Sequence, residues 1–339
     1  MKVTIEKDDL TLHPSSFIPH PSLRAAGGVA LALFAAASLA QTYPNRPIRI
    51  IVPNTAGSAT DIATRIVAQR LTDSMGQQTV VDNRAGASGI IGHEITASSV
   101  PDGYTLLVTT TSGLILNPLF AKMPYDSFKD FTPISLLVNS PQVLFATMGI
   151  PAKTVNELVD LARAKPGQLN CASPGFGSSN HMGCEMLKTM AKVNFVHVPY
   201  KGTAPAITDV VGGQVQFMFN SLPPILPLAK TGKVRTIALG GVKRSPAAPE
   251  IPLISESIPG FQVGTWYALI GPRGIPPAIT TRLNSEVKKM FADAAFAQRI
   301  IDMGQDPAPT SPEELLAYMR SESARWAKVI KEAGLKLER

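Results

Sequence analysis

Apolar strand segments alternate with helical segments along the sequence after residue 41. Helical segments carry apolar residues three and four positions apart, as at Ile62, Ile66 and Val67. The predicted strands cover residues 48–52, 79–81, 105–109, 134–138, 143–146, 168–172, 195–198, 215–219 and 234–239. This alternation is typical of an α/β fold with mostly parallel sheets.

Helix-start signals occur at two further places. Thr154 and Glu157 form a capping box that predicts a helix through Ala164. From residue 277 onward the pattern is helical, with segments at 277–290 and 294–303 and a last helix that begins at Ser311-Pro312. A long final helix of this kind is expected to pack across a domain.

Two turns rich in glycine and serine each follow a predicted strand and precede a predicted helix. They lie at residues 52–61 and 172–181. Amides at a helix start have no partner within the helix, and the helix dipole attracts anions there. Because the turns carry hydroxyls and no run of catalytic acids, they favour a cleft that grips a small carboxylate from both sides, as a receptor does.

Length, composition and charge indicate the number of domains and argue against a nucleic-acid partner. With 339 residues, 45% of them hydrophobic, the chain can form two domains of ordinary size. The net charge is +7, but the lysines and arginines are scattered, without a basic stripe or a nucleic-acid-binding module. We therefore expect no nucleic-acid partner and a solvated surface that weakly attracts anionic ligands.

An apolar stretch near the amino terminus resembles a secretory signal peptide. It covers residues 25–40 and ends in Ser38-Leu39-Ala40, a small-x-small pattern before Gln41. We expect residues 1–40 to be a leader and the secreted protein to begin at or near Gln41. Because acidic residues such as Glu6 precede the apolar run, either translation starts downstream of Met1 or the leader is unusually long.

The two cysteines show no metal-binding or redox spacing. Cys171 lies on a predicted strand and Cys184 on the following predicted helix. A disulfide requires their Cα atoms to lie close together, which the sequence does not show. We expect two buried, unpaired thiols and no metal site.

Short motifs spread over the chain resemble the Bug family, the periplasmic substrate-binding receptors of tripartite tricarboxylate transporters. They lie, in the family's order, at residues 43–53 (YPNRPIRIIVP), 82–87 (DNRAGA), 101–106 (PDGYTL), 124–126, 129–131, 197–202 (HVPYKG) and 213–215. The resemblance covers residues 43–337, and the combination of motifs is specific although no single one is.

The resemblance implies a two-lobed periplasmic-binding-protein fold of the second type, with a ligand cleft between lobes joined by crossing strands. Lobe 1 would comprise residues 41–142 and 258–339, and lobe 2 residues 143–257. It further implies a monomeric periplasmic receptor that binds a small organic carboxylate and delivers it to membrane transporter subunits. Such a receptor uses no cofactor and catalyses no reaction.

The family also implies that backbone amides, hydroxyls and bridging waters hold the carboxylate in place of an arginine clamp. By position, the candidate ligand-binding residues are Asn54, Ala56, Gly57, Ser58 and Asp61, then Thr109, Thr110 and Thr111, then Ser173, Gly175, Ser178 and Ser179, and finally Thr203, Ala204 and Asn220. Asp61 either complements the helix start or accepts a hydrogen bond from a ligand or water. The first turn departs from the family's usual residues at 54–58, which leaves the ligand's identity open.

Three alternatives remain open. A hydrolase or transferase on an α/β scaffold would use Ser173 or Ser178 with His181, although the sequence has no nucleophile-elbow motif and no acid fixed beside the histidine. A nucleotide site is disfavoured because the glycine pattern at 175–180 lacks its third glycine. An orphan receptor that signals to a sensor protein would share the fold and differ only in its partner.

Overall fold

Strands and helices alternate along the part of the chain that the computed structural model describes, which is residues 43–332 and residue 334. The predicted leader lies outside these residues. The strands are β1 (Ile48–Val52), β2 (Thr79–Asn83), β3 (Thr105–Thr110), β4 (Phe131–Thr147), β5 (Asn170–Ser173), β6 (Val196–Pro199), β7 (Phe217–Ser221), β8 (Val234–Leu239), β9 (Gly264–Pro272) and β10 (Asp306–Pro307). The predicted α/β class is confirmed.

Helices connect most of these strands. They are α1 (Ala59–Met75), α2 (Ile90–Ala97), α3 (Asn117–Phe120), α4 (Val155–Ala164), α5 (Ser179–Ala191), α6 (Thr203–Val211), α7 (Leu222–Lys230), α8 (Pro277–Ala292), α9 (Ala294–Asp302) and α10 (Pro312–Glu332). Half of the predicted capping box at α4 is present, since the Glu157 amide donates to Thr154 Oγ1 (3.2 Å). The Glu157 carboxylate accepts from the Lys153 amide (2.6 Å) in place of the Thr154 amide. Within residues 43–332, no helix has both the length and the apolar character of a membrane span.

The strands join in the order β2-β1-β3-β9-β4-β7-β5-β6, with β8 and β10 also paired to β4. Pairing is parallel among β1, β2 and β3 and among β5, β6 and β7, but antiparallel around β4 and β9. The prediction of mostly parallel sheets therefore holds for the outer strands and is wrong for the centre.

Strand β4 belongs to both halves of this sheet. Its residues 131–141 pair with β9, and its residues 142–147 pair with β7 and β8. The sequence predicts two separate strands here, at residues 134–138 and 143–146. The strand continues because Pro141 is the last residue paired with β9, at the point where β4 changes partners.

The last helix packs as its apolar spacing predicts. Leu315, Met319 and Trp326 of α10 are buried in the core cluster that also contains Trp266 of β9. Tyr318 Oη of the same helix donates to Asn139 Oδ1 (3.2 Å), so the helix covers the sheet near the point where β4 changes partners.

The two cysteines form a disulfide, so the prediction of unpaired thiols is wrong. Cys171 on β5 and Cys184 on α5 are both fully buried, with their Cα atoms 6.3 Å apart. Helix α5 follows β5 and packs against it, which brings its second turn within disulfide range of the strand. The bridge closes a short loop that contains the second glycine/serine turn.

Candidate functional site

A cavity of about 820 Å³ lies among the loops that follow β1, β2, β3, β5, β6 and β7. Eight of the residues predicted from the sequence line it: Asn54, Ser58, Thr110, Gly175, Ser178, Ser179, Thr203 and Asn220. Seven do not line it: Ala56, Gly57, Asp61, Thr109, Thr111, Ser173 and Ala204. Segments from both glycine/serine turns therefore share one cavity.

The first turn is held together by Asp61. Its carboxylate accepts hydrogen bonds from the Gly57 amide (2.9 Å), from Arg65 Nε (3.0 Å) and from Asn83 Nδ2 (3.0 Å). Burial alone would raise the pKa of Asp61, but the hydrogen bonds outweigh it and hold the pKa below its usual value. Asp61 is therefore a buried carboxylate that fixes the turn, and Gly57 directs its amide to Asp61.

Helix α1 presents two free amides to the cavity. Ser58 caps the helix by accepting from the Asp61 amide (3.3 Å), and the Ile62 amide donates to the Ser58 carbonyl (2.9 Å). Among the described residues, the amides of Ala59 and Thr60 have no acceptor, and both residues are buried and line the cavity. Unpaired amides at a helix start are suited to bind an anion.

Helix α5, by contrast, has its first amides occupied by the protein itself. Ser178 Oγ accepts from the His181 amide (3.1 Å), and Ser112 Oγ accepts from the Ser179 amide (3.0 Å). Gln142, oriented to satisfy both ends of its side-chain amide, accepts from the Asn180 amide (3.2 Å). The two turns, which look alike in sequence, thus differ in the donors that they leave available.

Asn220 supplies an unpaired donor from the end of β7. Its Oδ1 accepts from Asn180 Nδ2 (3.3 Å), which itself also donates to the Phe219 carbonyl (2.7 Å). This arrangement fixes the Asn220 amide with Nδ2 unpartnered among the described residues, although the residue is 4% exposed and lines the cavity. A buried, unsatisfied donor is costly and therefore points to a ligand.

Several lining residues escaped the sequence reasoning. The loop after β2, residues 85–90, lines the cavity, and so do Ser112, Gln142 and Tyr267. Within the loop, Ala87 and Ser88 adopt left-handed backbone conformations (φ 47° and 55°), which are uncommon outside glycine. The motif at residues 82–87 signalled this loop, but nothing in it indicated that the chain would turn into the cleft.

The hydrolase alternative pairs Ser173 or Ser178 with His181, whereas Ser173 contacts His197 and Ser178 Oγ donates to the Gly175 carbonyl (2.7 Å). His197 Nε2 lies 2.6 Å from Ser173 Oγ, the contact that a serine nucleophile and its base would make. Ser173 is fully buried, does not line the cavity, and also bonds the backbone of Gly175. Burial, with the nearby His181 and Lys188, lowers the pKa of His197 to about 3, so its imidazole is a weak base. The contact between Ser173 and His197 therefore stabilises the second glycine/serine turn.

His181 serves the same turn from the other side. Its Nδ1 accepts from the Gly177 amide (3.3 Å), and its ring stacks on His197 (3.7 Å between centroids). Within residues 43–332 and 334, no group of three or more His, Cys, Asp or Glu side chains could hold a metal ion.

A family model for the tripartite tricarboxylate transporter family receptor matches residues 63–335. The chain is 35% identical to the protein BugT of Bordetella pertussis over 318 residues, which covers 91% of this chain and 96% of BugT. It is 37% identical over 318 residues to a protein encoded in the tcbD-tcbE intergenic region of a Pseudomonas species, covering 92% and 94% of the two chains.

Solved structures show the same similarity. An R. palustris protein with adipate is 35% identical, with a TM-score of 0.85 over 87% of this chain and 99% of that one. MatC from Rhodopseudomonas palustris with bound malate is 32% identical, with a TM-score of 0.80 over 85% of this chain and 100% of MatC. Together with the sheet topology, these similarities confirm the predicted two-lobed periplasmic-binding-protein fold.

Proposed function

This chain belongs to the tripartite tricarboxylate transporter receptor family, as its resemblance to Bug proteins predicted, and we propose that it binds a small organic carboxylate in the 820 Å³ cavity. The bound acid is then delivered to the membrane subunits of a transporter. Adipate and malate in two similar structures support a carboxylate as the ligand class.

One observation carries the proposal. The Ala59 and Thr60 amides at the start of α1 and the Asn220 Nδ2 group from β7 are buried donors without partners, and all three residues line one cavity. A carboxylate has two oxygens that accept several hydrogen bonds, so it satisfies donors that approach from two directions. The dipole of α1 favours the same negative charge.

The proposed lobes are residues 41–142 with 258–339, and residues 143–257. The hydrogen bonds that then run from one lobe to the other include Ser88 Oγ to the Phe176 carbonyl (2.6 Å), the Ala204 amide to Thr55 Oγ1 (3.4 Å), and the Ser179 amide to Ser112 Oγ (3.0 Å). These contacts are those of a closed cleft. The change of partners along β4 between Pro141 and Gln142 supports the first lobe boundary.

Asn220→Asp tests the carboxylate site. The aspartate retains an oxygen for Asn180 but replaces the free donor by a negative charge. A hydrogen bond to a charged group contributes about 1.5–3 kcal/mol, so the affinity for an acid should fall by roughly tenfold to a hundredfold or more. Calorimetry and thermal shift with a panel of mono-, di- and tricarboxylates measure the effect.

The matched control is Asn194→Asp, which makes the same charge change at an exposed position outside the cavity. It should bind as the parent does. Equal affinity in Asn220→Asp and the parent would place the acid elsewhere. If no acid in the panel binds, or if a bound compound is converted to product, the receptor proposal fails.

The cellular role is part of the same proposal. We expect a monomer in the periplasm that serves a membrane transporter and catalyses no reaction. A receptor that instead signals to a sensor protein would bind the same acid and differ in the partner that it recruits.

A further inference from the structure

The inner part of the cavity is polar and neutral. Thr60, Gln142, Ser179, Asn180 and Asn220 are all buried there. Four of them are linked to one another, since Gln142 contacts Ser179 and the Asn180 amide, and Asn180 Nδ2 donates to Asn220 Oδ1. This part of the lining provides hydrogen bonds for one carboxylate.

The outer part of the cavity is apolar. Ile90, Phe120, Met123 and Phe176 line it, and all four are partly or largely exposed, unlike the polar residues. Their segments converge on Ser88, which donates to the Phe176 carbonyl (2.6 Å) and accepts from Asn117 of α3 (3.1 Å). Hydrogen bonds at Ser88 therefore join the segments that carry these apolar side chains.

Aromatic contacts hold part of this apolar wall in place. The Phe176 ring makes edge contacts with His181 (5.6 Å between centroids) and with His197 (5.2 Å), which stack on each other. A side chain fixed in this way offers a preformed apolar surface, and binding then loses little conformational entropy there.

Charge is scarce along the lining. Among the described residues that line the cavity, Lys201 is the one charged side chain, and it is exposed. Its neighbour Gly202 packs against Thr55, where an added Cβ would lie 2.5 Å from the threonine methyl group. The loop that carries Lys201 therefore contacts the first turn, and it also approaches Ser88, since a Cβ added at Gly175 would lie 2.7 Å from Ser88 Oγ and 3.8 Å from the Tyr200 carbonyl. The Lys201 side chain itself is exposed to solvent. A second carboxylate on the apolar side would lose hydration, and among the described lining residues no buried cation would compensate for that loss.

We infer that the ligand is a monocarboxylic acid with an apolar body, an alkyl or aryl group that packs against Phe120, Met123 and Phe176. This inference rests on the proposed carboxylate site and adds the class of the rest of the molecule. The cavity, at about 820 Å³, has room for such a body in addition to the carboxylate.

Hexanoate and adipate provide the sharpest comparison, because they have the same chain length and differ only in whether the far end is a methyl group or a carboxylate. Calorimetry on the full receptor, freed of any retained ligand, should show hexanoate and phenylacetate binding roughly tenfold or more tighter than adipate. Met123→Lys places a cation in the apolar part, so it should weaken hexanoate and tighten adipate. Met148→Lys, at an exposed position outside the cavity, is the charge-matched control and should change neither affinity.

The outcomes separate the two proposals. If adipate binds the parent as tightly as hexanoate, or if Met123→Lys leaves the preference unchanged, the apolar-acid inference is overturned while the carboxylate receptor stands. If none of the three acids binds, the inference is likewise overturned. If hexanamide binds as tightly as hexanoate, the carboxylate site itself is wrong and both proposals fail.

Discussion

Reduction of the Cys171–Cys184 disulfide should destabilise the protein by about 3 kcal/mol. The bridge joins residues 13 positions apart, and closing a loop of this length lowers the entropy of the unfolded chain by an amount worth roughly 3 kcal/mol at 25 °C. Unfolding the described residues changes the entropy by about 0.6 kcal/mol/K. The melting temperature should therefore fall by about 5 °C.

The assay is urea unfolding of the ligand-free protein, followed by circular dichroism with and without a reductant. The Cys171→Ala, Cys184→Ala double variant is the control, and its stability should not respond to the reductant. The reasoning is refuted if the parent is equally stable in both conditions. It is also refuted if thiol titration of the unreduced, denatured protein finds two free thiols, because the bridge would then be absent.

Two further predictions concern His93, which is fully buried and contacts the Gly89 carbonyl (2.8 Å) and Thr109 Oγ1 (2.6 Å). Burial lowers the pKa of His93 to about 4, so between pH 6.5 and 4 the unfolded chain takes up a proton that the folded protein excludes. The free energy of unfolding should therefore fall by roughly 3 kcal/mol as the pH is lowered through this window. Denaturant titrations at several pH values should show that it changes less with pH in His93→Gln than in the parent. Gly113→Ala would place a Cβ 1.9 Å from the His93 ring, so it should destabilise the protein by about 3 kcal/mol or more. In the control Gly149→Ala, the new Cβ would meet nothing closer than 3.8 Å, so the stability should change little. Equal effects of the two variants in urea unfolding would contradict the close packing of His93 against Gly113.

Local signals in the sequence predicted the helix starts at the cavity. Ser58 and Ser178 each follow a strand and precede a helical segment, and both serve as the caps that such residues favour. Each cap is a hydrogen bond between residues three positions apart, so it does not depend on how distant parts of the chain pack. The sequence analysis also predicted that both turns face one cleft, from their hydroxyls and their helix-start amides, and segments of both turns line the cavity.

The sequence could not predict which hydrogen-bond donors of the cavity remain without a partner, because their partners lie far away along the chain. The amides at the start of α5 are occupied by Ser112 and Gln142, which lie 67 and 37 positions from Ser179. The free Nδ2 of Asn220 likewise depends on Asn180 fixing the side-chain orientation, 40 positions away. The disulfide was missed for the same reason, since the packing of α5 on β5 sets the distance between its cysteines.

Strand β4 has a consequence for the way in which the protein melts. Its residues 131–141 complete the hydrogen bonding of β9, and its residues 142–147 complete that of β7 and β8. If β4 leaves its extended conformation, both halves of the sheet lose a central partner at the same time. The two lobes therefore share their cooperativity, and the unfolding of one removes a structural element that the other needs to remain folded.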